Sequence, residues 1–220
     1  MIDFLIYSGY FILFVNLVLY TISFFRSEKA NVFFVGYLVF AFFVQFGMEV
    51  LYHLKKNNLL LVNFFFIGQM ILLGLFYRSL FKNNTQKKIV TISILITLMI
   101  FVLQFYFDPS QLTKFNLFEI TITSLLIVGF ALMHFYNMLT EQKEYYFVTI
   151  GIIIYMLGAT VLFLIGNLSQ NLSNEIKYLS WTLNAFLVVV YYLIILLEWK
   201  MSLKKKKIIK TQVNTFSELE

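Results

Sequence analysis

Long apolar stretches recur along this chain and are separated by only short polar connections. A helix that crosses a bilayer needs about 20 apolar residues, and seven stretches meet that length. The spans are predicted over residues 3–25, 31–54, 58–81, 88–107, 115–139, 146–167 and 176–199. The sequence therefore predicts an all-α fold: a polytopic bundle of seven transmembrane helices over residues 1–200, followed by a basic tail over 201–220.

The composition agrees with a membrane-embedded chain. Hydrophobic residues make up 60% of the sequence and charged residues 13%, against about 25% charged residues in a typical soluble domain. Cysteine is absent, which excludes disulfides and thiolate metal sites. The formal net charge is +6, but the basic residues flank apolar stretches rather than sharing a soluble surface. We therefore expect the lipid bilayer as a partner and no nucleic acid.

The distribution of Lys and Arg predicts how the chain is oriented. Cytoplasmic loops of membrane proteins are enriched in these residues. With the N-terminus outside, the outer segments hold only four of the 17 basic residues: Lys55, Lys56, Lys114 and Lys177. The opposite orientation would place the basic majority outside. An N-out, C-in arrangement is therefore predicted.

Polar side chains recur near the predicted outer ends of several spans. Glu49 and His53 lie four residues apart in span 2, so they share a helix face. Glu119 enters span 5 at a similar depth. Hydrocarbon cannot satisfy such groups, so they are expected to face the bundle interior. This layer predicts an outward-facing polar pocket, to which three amides also belong: Asn63, Asn116 and Asn184.

Two interpretations of this layer remain open. The amides can act only as links between helices, each contributing about 0.6 kcal/mol on average. A charged carboxylate inside a membrane costs about 3 kcal/mol or more, so Glu49 and Glu119 are the stronger candidates for a ligand or proton site. His53 is the candidate partner of Glu49.

Several chemistries find no support in the sequence. The only histidines, His53 and His134, map to opposite halves of the membrane, so no zinc site and no other metal or cofactor is predicted. Nucleophile-elbow, phosphate-loop and dinucleotide motifs are absent. A retinal-type lysine is missing from the middle of span 7. With no catalytic motif, an enzyme is disfavoured.

Basic residues cluster directly after the last span. Lys204, Lys205, Lys206 and Lys207 precede two isoleucines and Lys210. Such a juxtamembrane cluster binds anionic lipid headgroups. The same segment is also a candidate docking site for a cytoplasmic protein partner.

The order of these features resembles a group of small seven-helix membrane proteins of unknown function from Bacteroidota-type bacteria. The resemblance lies in MEVLYHLKKNN before span 3, in YYFVTIGIIIYMLGATVLFLIGN for span 6, and in Trp181–Asn184 of span 7. It departs at Gln69, where that group would carry an acidic residue. The chain is also loosely similar to the seven-helix sensor modules that precede histidine kinases. The resemblance implies a bacterial inner-membrane location and a sensing or partner-binding unit.

These observations favour a sensor or accessory module that binds a small-molecule or lipid ligand in the outer polar layer. Its output would pass through the inner face and tail to another protein. The alternative is a transporter or channel for a small solute, an ion or a proton, with Glu49 and Glu119 as the titrating groups.

Overall fold

Seven long helices make up almost all of the described chain. A computed structural model describes residues 2–26, 30–168 and 174–217, and the part it describes contains no strand. The helices are α1 (Ile2–Phe25), α2 (Val32–His53), α3 (Leu59–Leu80), α4 (Asn84–Phe107), α5 (Leu117–Asn137), α6 (Tyr146–Leu168) and α7 (Asn174–Ser217).

Each of these helices has an apolar segment long enough to cross a membrane. The predicted all-α bundle with seven spans is therefore confirmed. The helix α7 continues beyond its apolar segment, Tyr178–Ser202, through the lysine cluster to Ser217. A short 3-10 helix, η1 (Pro109–Thr113), lies between α4 and α5.

Six of the helices close into a ring. Around the ring the order is α1, α2, α3, α5, α6 and α7, with α7 packed against α1. The remaining helix, α4, lies outside and packs against α3, α5 and η1. Because α4 is peripheral, α3 and α5 become direct neighbours and run in the same direction.

The short connections make successive helices antiparallel, so the bundle has two distinct ends. We call the end that carries the start of α1 the N-terminal end. It also carries the starts of α3, α5 and α7 and the ends of α2, α4 and α6. Which end faces outside is not determined by the structure, and N-out remains a prediction.

Large side chains fill the interior of the ring. Tyr37, Tyr77, Tyr191 and Tyr192 are each no more than 2% exposed. These bulky side chains pack closely at the centre of the ring. By contrast, large apolar residues such as Phe4, Phe11 and Phe107 are exposed on the outer faces, as expected for surfaces that lipid covers.

Hydrogen bonds stabilise the other end of the bundle, opposite the N-terminal end. The Asn31 side chain accepts hydrogen bonds from the backbone N–H groups of Phe33 and Phe34, which caps α2. Its amide nitrogen donates to Ser79 on α3 at 2.6 Å. Its backbone N–H donates to the hydroxyl of Tyr145, just before α6, at 2.7 Å. One asparagine thus joins three elements.

Candidate functional site

The six polar residues predicted to share one layer all lie at the N-terminal end of the bundle. They occupy three separate places there. The first lies between α1 and α2, the second between α3, η1 and α5, and the third beside a cavity at the start of α7. The first place holds Glu49 and His53. The second holds Asn63, Asn116 and Glu119, and the third holds Asn184.

The first place is a hydrogen-bonded carboxylate. Tyr7 and Tyr10 of α1 donate to the carboxylate of Glu49 at 3.3 and 3.1 Å. The ring nitrogen Nε2 of His53 lies 3.1 Å from Glu49 Oε1, so the structure contains the predicted pair. The His53 side chain is 63% exposed and that of Glu49 is 22% exposed. This carboxylate is therefore well satisfied and within reach of solvent.

The two tyrosines of this place are functional candidates that sequence reasoning missed. Tyr7 and Tyr10 lie three residues apart, so both can reach one neighbour from a single face of α1. That spacing was the available signal. Nothing in the sequence, however, indicates which helix faces them.

A buried polar column continues inward from Glu49. Gln45 of α2 donates to the Tyr192 hydroxyl at 2.8 Å, and Asn16 of α1 donates to the backbone carbonyl oxygen of Tyr192 at 2.8 Å. Deeper in the ring, Gln69 donates to the hydroxyl of Tyr37 at 3.3 Å. We define the polar column as Tyr10, Asn16, Gln45, Tyr192, Tyr37 and Gln69.

The second place begins with an asparagine that holds η1. The Asn63 side-chain nitrogen lies within 2.9 to 3.2 Å of three backbone carbonyl oxygens, those of Gln111, Leu112 and Lys114. This contact packs η1 over the start of α3. The Asn63 side-chain oxygen is buried and has no hydrogen-bond partner.

The start of α5 lies beside this contact. Asn116 caps α5 by accepting a hydrogen bond from the backbone N–H of Glu119 at 3.2 Å. Glu119 is 0% exposed, and within the described part of the chain neither of its carboxyl oxygens has a hydrogen-bond partner. The side-chain nitrogen of Asn116 is also buried and unpaired. Unlike Glu49, this acid is enclosed and unsatisfied.

The third place is a cavity of about 420 Å³ at the mouth of the ring. Its aromatic wall includes Phe115, Phe163 and Trp181, with the Phe115 and Phe163 rings 5.7 Å apart. The side-chain oxygen of Asn184 is buried and has no hydrogen-bond partner among the residues that the structure describes. The cavity is lined by Leu59, Phe115, Leu162, Phe163, Gly166, Asn167, Ser180, Trp181 and Asn184.

From the sequence, Asn184 is a predicted member of the polar layer and Trp181 lies at the start of span 7, and both line this cavity. The other lining residues come from α3, α6, α7 and the segment before α5. Apart from Asn167 they are apolar or small residues, and only the packing of the helices brings them together. Among the described residues, no group of three or more His, Asp or Glu side chains could hold a metal ion.

The predicted tail site falls partly outside the described structure. The backbone around Lys204, Lys205, Lys206 and Lys207 is helical. The side chains of these residues lie outside the part of the chain that is described. Their role remains a prediction.

The fold defines an all-helical protein with seven segments suited to crossing a membrane. Which membrane it occupies is not shown. No family model, curated protein or solved structure matches the chain. The function of this protein must therefore be inferred from the geometry of its three polar places.

Proposed function

We propose that this protein is a membrane-embedded sensor or accessory module that binds a small amphipathic or lipidic ligand at the N-terminal end. The cavity lined by Asn184 is the observation that carries the proposal. Its volume of about 420 Å³ falls within the range of about 300–1,000 Å³ that is usual for ligand sites.

The chemistry of the cavity wall indicates the kind of ligand. Most of the lining is apolar and aromatic, which suits an alkyl chain or a ring. The unpaired side-chain oxygen of Asn184 can accept one hydrogen bond, and a buried acceptor without a donor is costly. A ligand with an apolar body and one donor group would satisfy both features.

The helix α7 connects the proposed ligand cavity to the lysine cluster. Ser180, Trp181 and Asn184 lie near its start, and the same helix continues without a break to Ser217. At 1.5 Å per residue, the distance from Asn184 to Ser217 is about 50 Å. A shift of α7 on ligand binding would therefore move the lysine cluster. In the predicted N-out orientation, that cluster meets a cytoplasmic partner.

Native mass spectrometry of the full chain from a mild detergent tests ligand binding. We expect the wild type to retain a bound small molecule or lipid. A Gly166→Leu variant should fill the cavity, since a Cβ at Gly166 meets only Ser180 at 3.9 Å. It should lose most of the retained molecule, and Asn184→Leu should retain less than the wild type.

Gly129→Leu is the matched control, because Gly129 also lies within a span and a Cβ there meets nothing within 4 Å. This control should retain as much ligand as the wild type. Equal retention by all four proteins, or no retained molecule in the wild type, would contradict the proposed site.

Deleting residues 204–220 tests the proposed output. The truncated protein should insert and retain its ligand but lose any cytoplasmic partner that co-purifies with the full chain. A partner that stays bound to the truncated chain would show that residues 204–220 do not mediate partner binding.

A transporter or channel for a small solute, an ion or a proton is the second candidate function. The polar column that continues inward from Glu49 favours it. Buried tyrosines fill the ring. This packing favours the transfer of a proton over the passage of a larger solute.

Proteoliposomes that contain a pH-sensitive dye test this second function. Glu49→Gln should depress proton flux, whereas Glu175→Gln, at an exposed carboxylate, should not. Flux no greater than in empty liposomes, or flux unchanged by Glu49→Gln, would exclude this role for Glu49.

A further inference from the structure

An excess of unpaired oxygens is buried between α3, α4, η1 and α5. Both carboxyl oxygens of Glu119, the side-chain oxygen of Asn63 and that of Gln104 are buried without a hydrogen-bond donor. The side-chain nitrogen of Asn116 is the one unpaired donor found at this place in the described structure. Four buried acceptor oxygens thus lie on elements that pack together, where a single unpaired donor group is found.

Hydrogen bonds and short chain segments hold the central members of this group together. Asn63 donates to the carbonyl oxygen of Lys114 at 3.2 Å. Two residues further along, Asn116 accepts from the backbone N–H of Glu119 at 3.2 Å. Gln104 lies near the end of α4, which packs against both α5 and η1. We call Asn63, Gln104, Asn116 and Glu119 the oxygen cluster.

Buried polar groups in native proteins almost always have a partner. A species that accepts no hydrogen bonds and is attracted to several oxygens would satisfy this cluster best. Hard cations have this property, because they bind carboxylate, amide and carbonyl oxygens. Sites of this kind in membrane proteins also hold Na⁺ with oxygens from irregular backbone, such as the carbonyl groups of η1.

We propose that the oxygen cluster binds a monovalent cation, with Na⁺ as the ion to test. Glu119 supplies the single negative charge that balances it. Asn63 and Gln104 supply neutral oxygens, and in the ion-bound state the Asn116 nitrogen, which is unpaired in this structure, donates to a carboxyl oxygen of Glu119. The ion joins the start of α5 to η1 and α3 at the N-terminal end.

Asp108 is a second acidic residue close to the oxygen cluster in sequence, but its carboxylate has other partners. Glu119 therefore supplies the single negative charge of the cluster. Asp108 caps η1, but its carboxylate is already occupied by the Ser110 hydroxyl at 2.6 Å and the Gln111 amide at 2.8 Å. These hydrogen bonds, that from Ser110 first, hold the pKa of the Asp108 carboxyl below its usual range. The Lys114 ammonium donates to the Ser110 hydroxyl at 2.8 Å. Asp108 is therefore engaged elsewhere.

Thermal unfolding of the full chain in a mild detergent tests the proposal. Sodium chloride replaces choline chloride at constant ionic strength and constant pH. We expect the unfolding temperature of the wild type to rise with Na⁺ concentration and then to saturate. Glu119→Gln should abolish the rise, and Asn63→Ala should require about tenfold more Na⁺, equivalent to about 1.4 kcal/mol of binding free energy.

Glu49→Gln is the matched control. Its carboxylate lies at the same end of the bundle but accepts from Tyr7 and Tyr10, so the response to Na⁺ should persist in this variant. Should Glu119→Gln fail to fold, Gln104→Leu serves instead, because it removes one neutral oxygen without changing a charge. Line broadening of the ²³Na resonance by the wild type, reduced in Gln104→Leu, gives a reading independent of unfolding.

Equal unfolding temperatures in sodium and choline salts would overturn the proposal. So would stability that changes with pH but not with Na⁺, because Glu119 would then be neutralised by a proton. A response to Na⁺ that survives Glu119→Gln would place the ion elsewhere and contradict the site. None of these outcomes depends on the ligand proposed for the Asn184 cavity.

Discussion

Three carboxylates near the N-terminal end show how strongly local partners decide what an acidic residue can do. Glu49 accepts from two tyrosines and lies beside His53. Asp108 accepts from the residues that follow it in η1. Across residues 2–26, 30–168 and 174–217, no hydrogen-bond partner of the Glu119 carboxyl is found, although it is the most buried of the three. The sequence places all three near span ends but does not distinguish them.

At the residue scale, Asn63→Ala should destabilise the protein. Its side-chain nitrogen meets three carbonyl oxygens around η1, and losing partly buried hydrogen bonds of this kind costs about 0.5–1.5 kcal/mol each. Thermal unfolding in a sodium-free buffer measures this loss apart from any bound cation. Asn58→Ala is the control, because Asn58 makes no side-chain capping bond at the start of α3. A loss no larger than the control's would show that Asn63 does not hold η1.

At the element scale, hydropathy located the helices well because it reports the length of chain that lipid can cover. The span predicted over 115–139 corresponds to α5 (Leu117–Asn137). Hydropathy did not locate the helix ends where a helix continues beyond its apolar segment. The helix α4 begins at Asn84 rather than residue 88, since Asn83 caps a polar first turn. The helix α7 continues past residue 199 because lysine is a good helix former.

The close approach of α2 and α3 gives a prediction at this scale. A Cβ at Gly68 of α3 would lie 2.6 Å from the Phe40 ring atom Cε1 of α2. That ring is stacked against Phe65, with the ring centroids 6.2 Å apart, so it cannot move freely. Gly68→Ala should therefore cost about 1–3 kcal/mol of stability through overpacking. Unfolding in a denaturing detergent measures the change.

Gly129→Ala is the control for that experiment. A Cβ at Gly129 of α5 meets no atom within 4 Å, and alanine favours helix more than glycine does. The control should be unchanged or slightly more stable. Equal destabilisation by both substitutions would mean that the contact between Gly68 and Phe40 is not specific.

At the scale of the whole molecule, the order of helices around the ring is what the sequence could not supply. Each span has a similar apolar character, so periodicity does not indicate that α4 lies outside the ring. The pair Glu49 and His53 was predictable because both residues lie on one helix. The separation of Glu49 from Glu119 was not, because it depends on which helices become neighbours.

Orientation is a prediction about the whole molecule. The chain has no cysteine, so single-cysteine variants give a clean readout with a maleimide that cannot cross membranes. Lys55→Cys should react in intact cells, and Lys204→Cys should react only after the membrane is opened, since basic loops remain inside. The reverse pattern would invert the orientation and place the cavity on the cytoplasmic side.

The proposal that the cavity beside Asn184 is a ligand site can be tested by direct observation. The measurement is a crystal structure of the protein grown from a lipidic mesophase. We predict continuous non-protein density among Phe163, Ser180 and Asn184, with one polar atom within hydrogen-bond distance of the Asn184 side-chain oxygen. A cavity that is empty, or closed by the surrounding side chains, would contradict the claim.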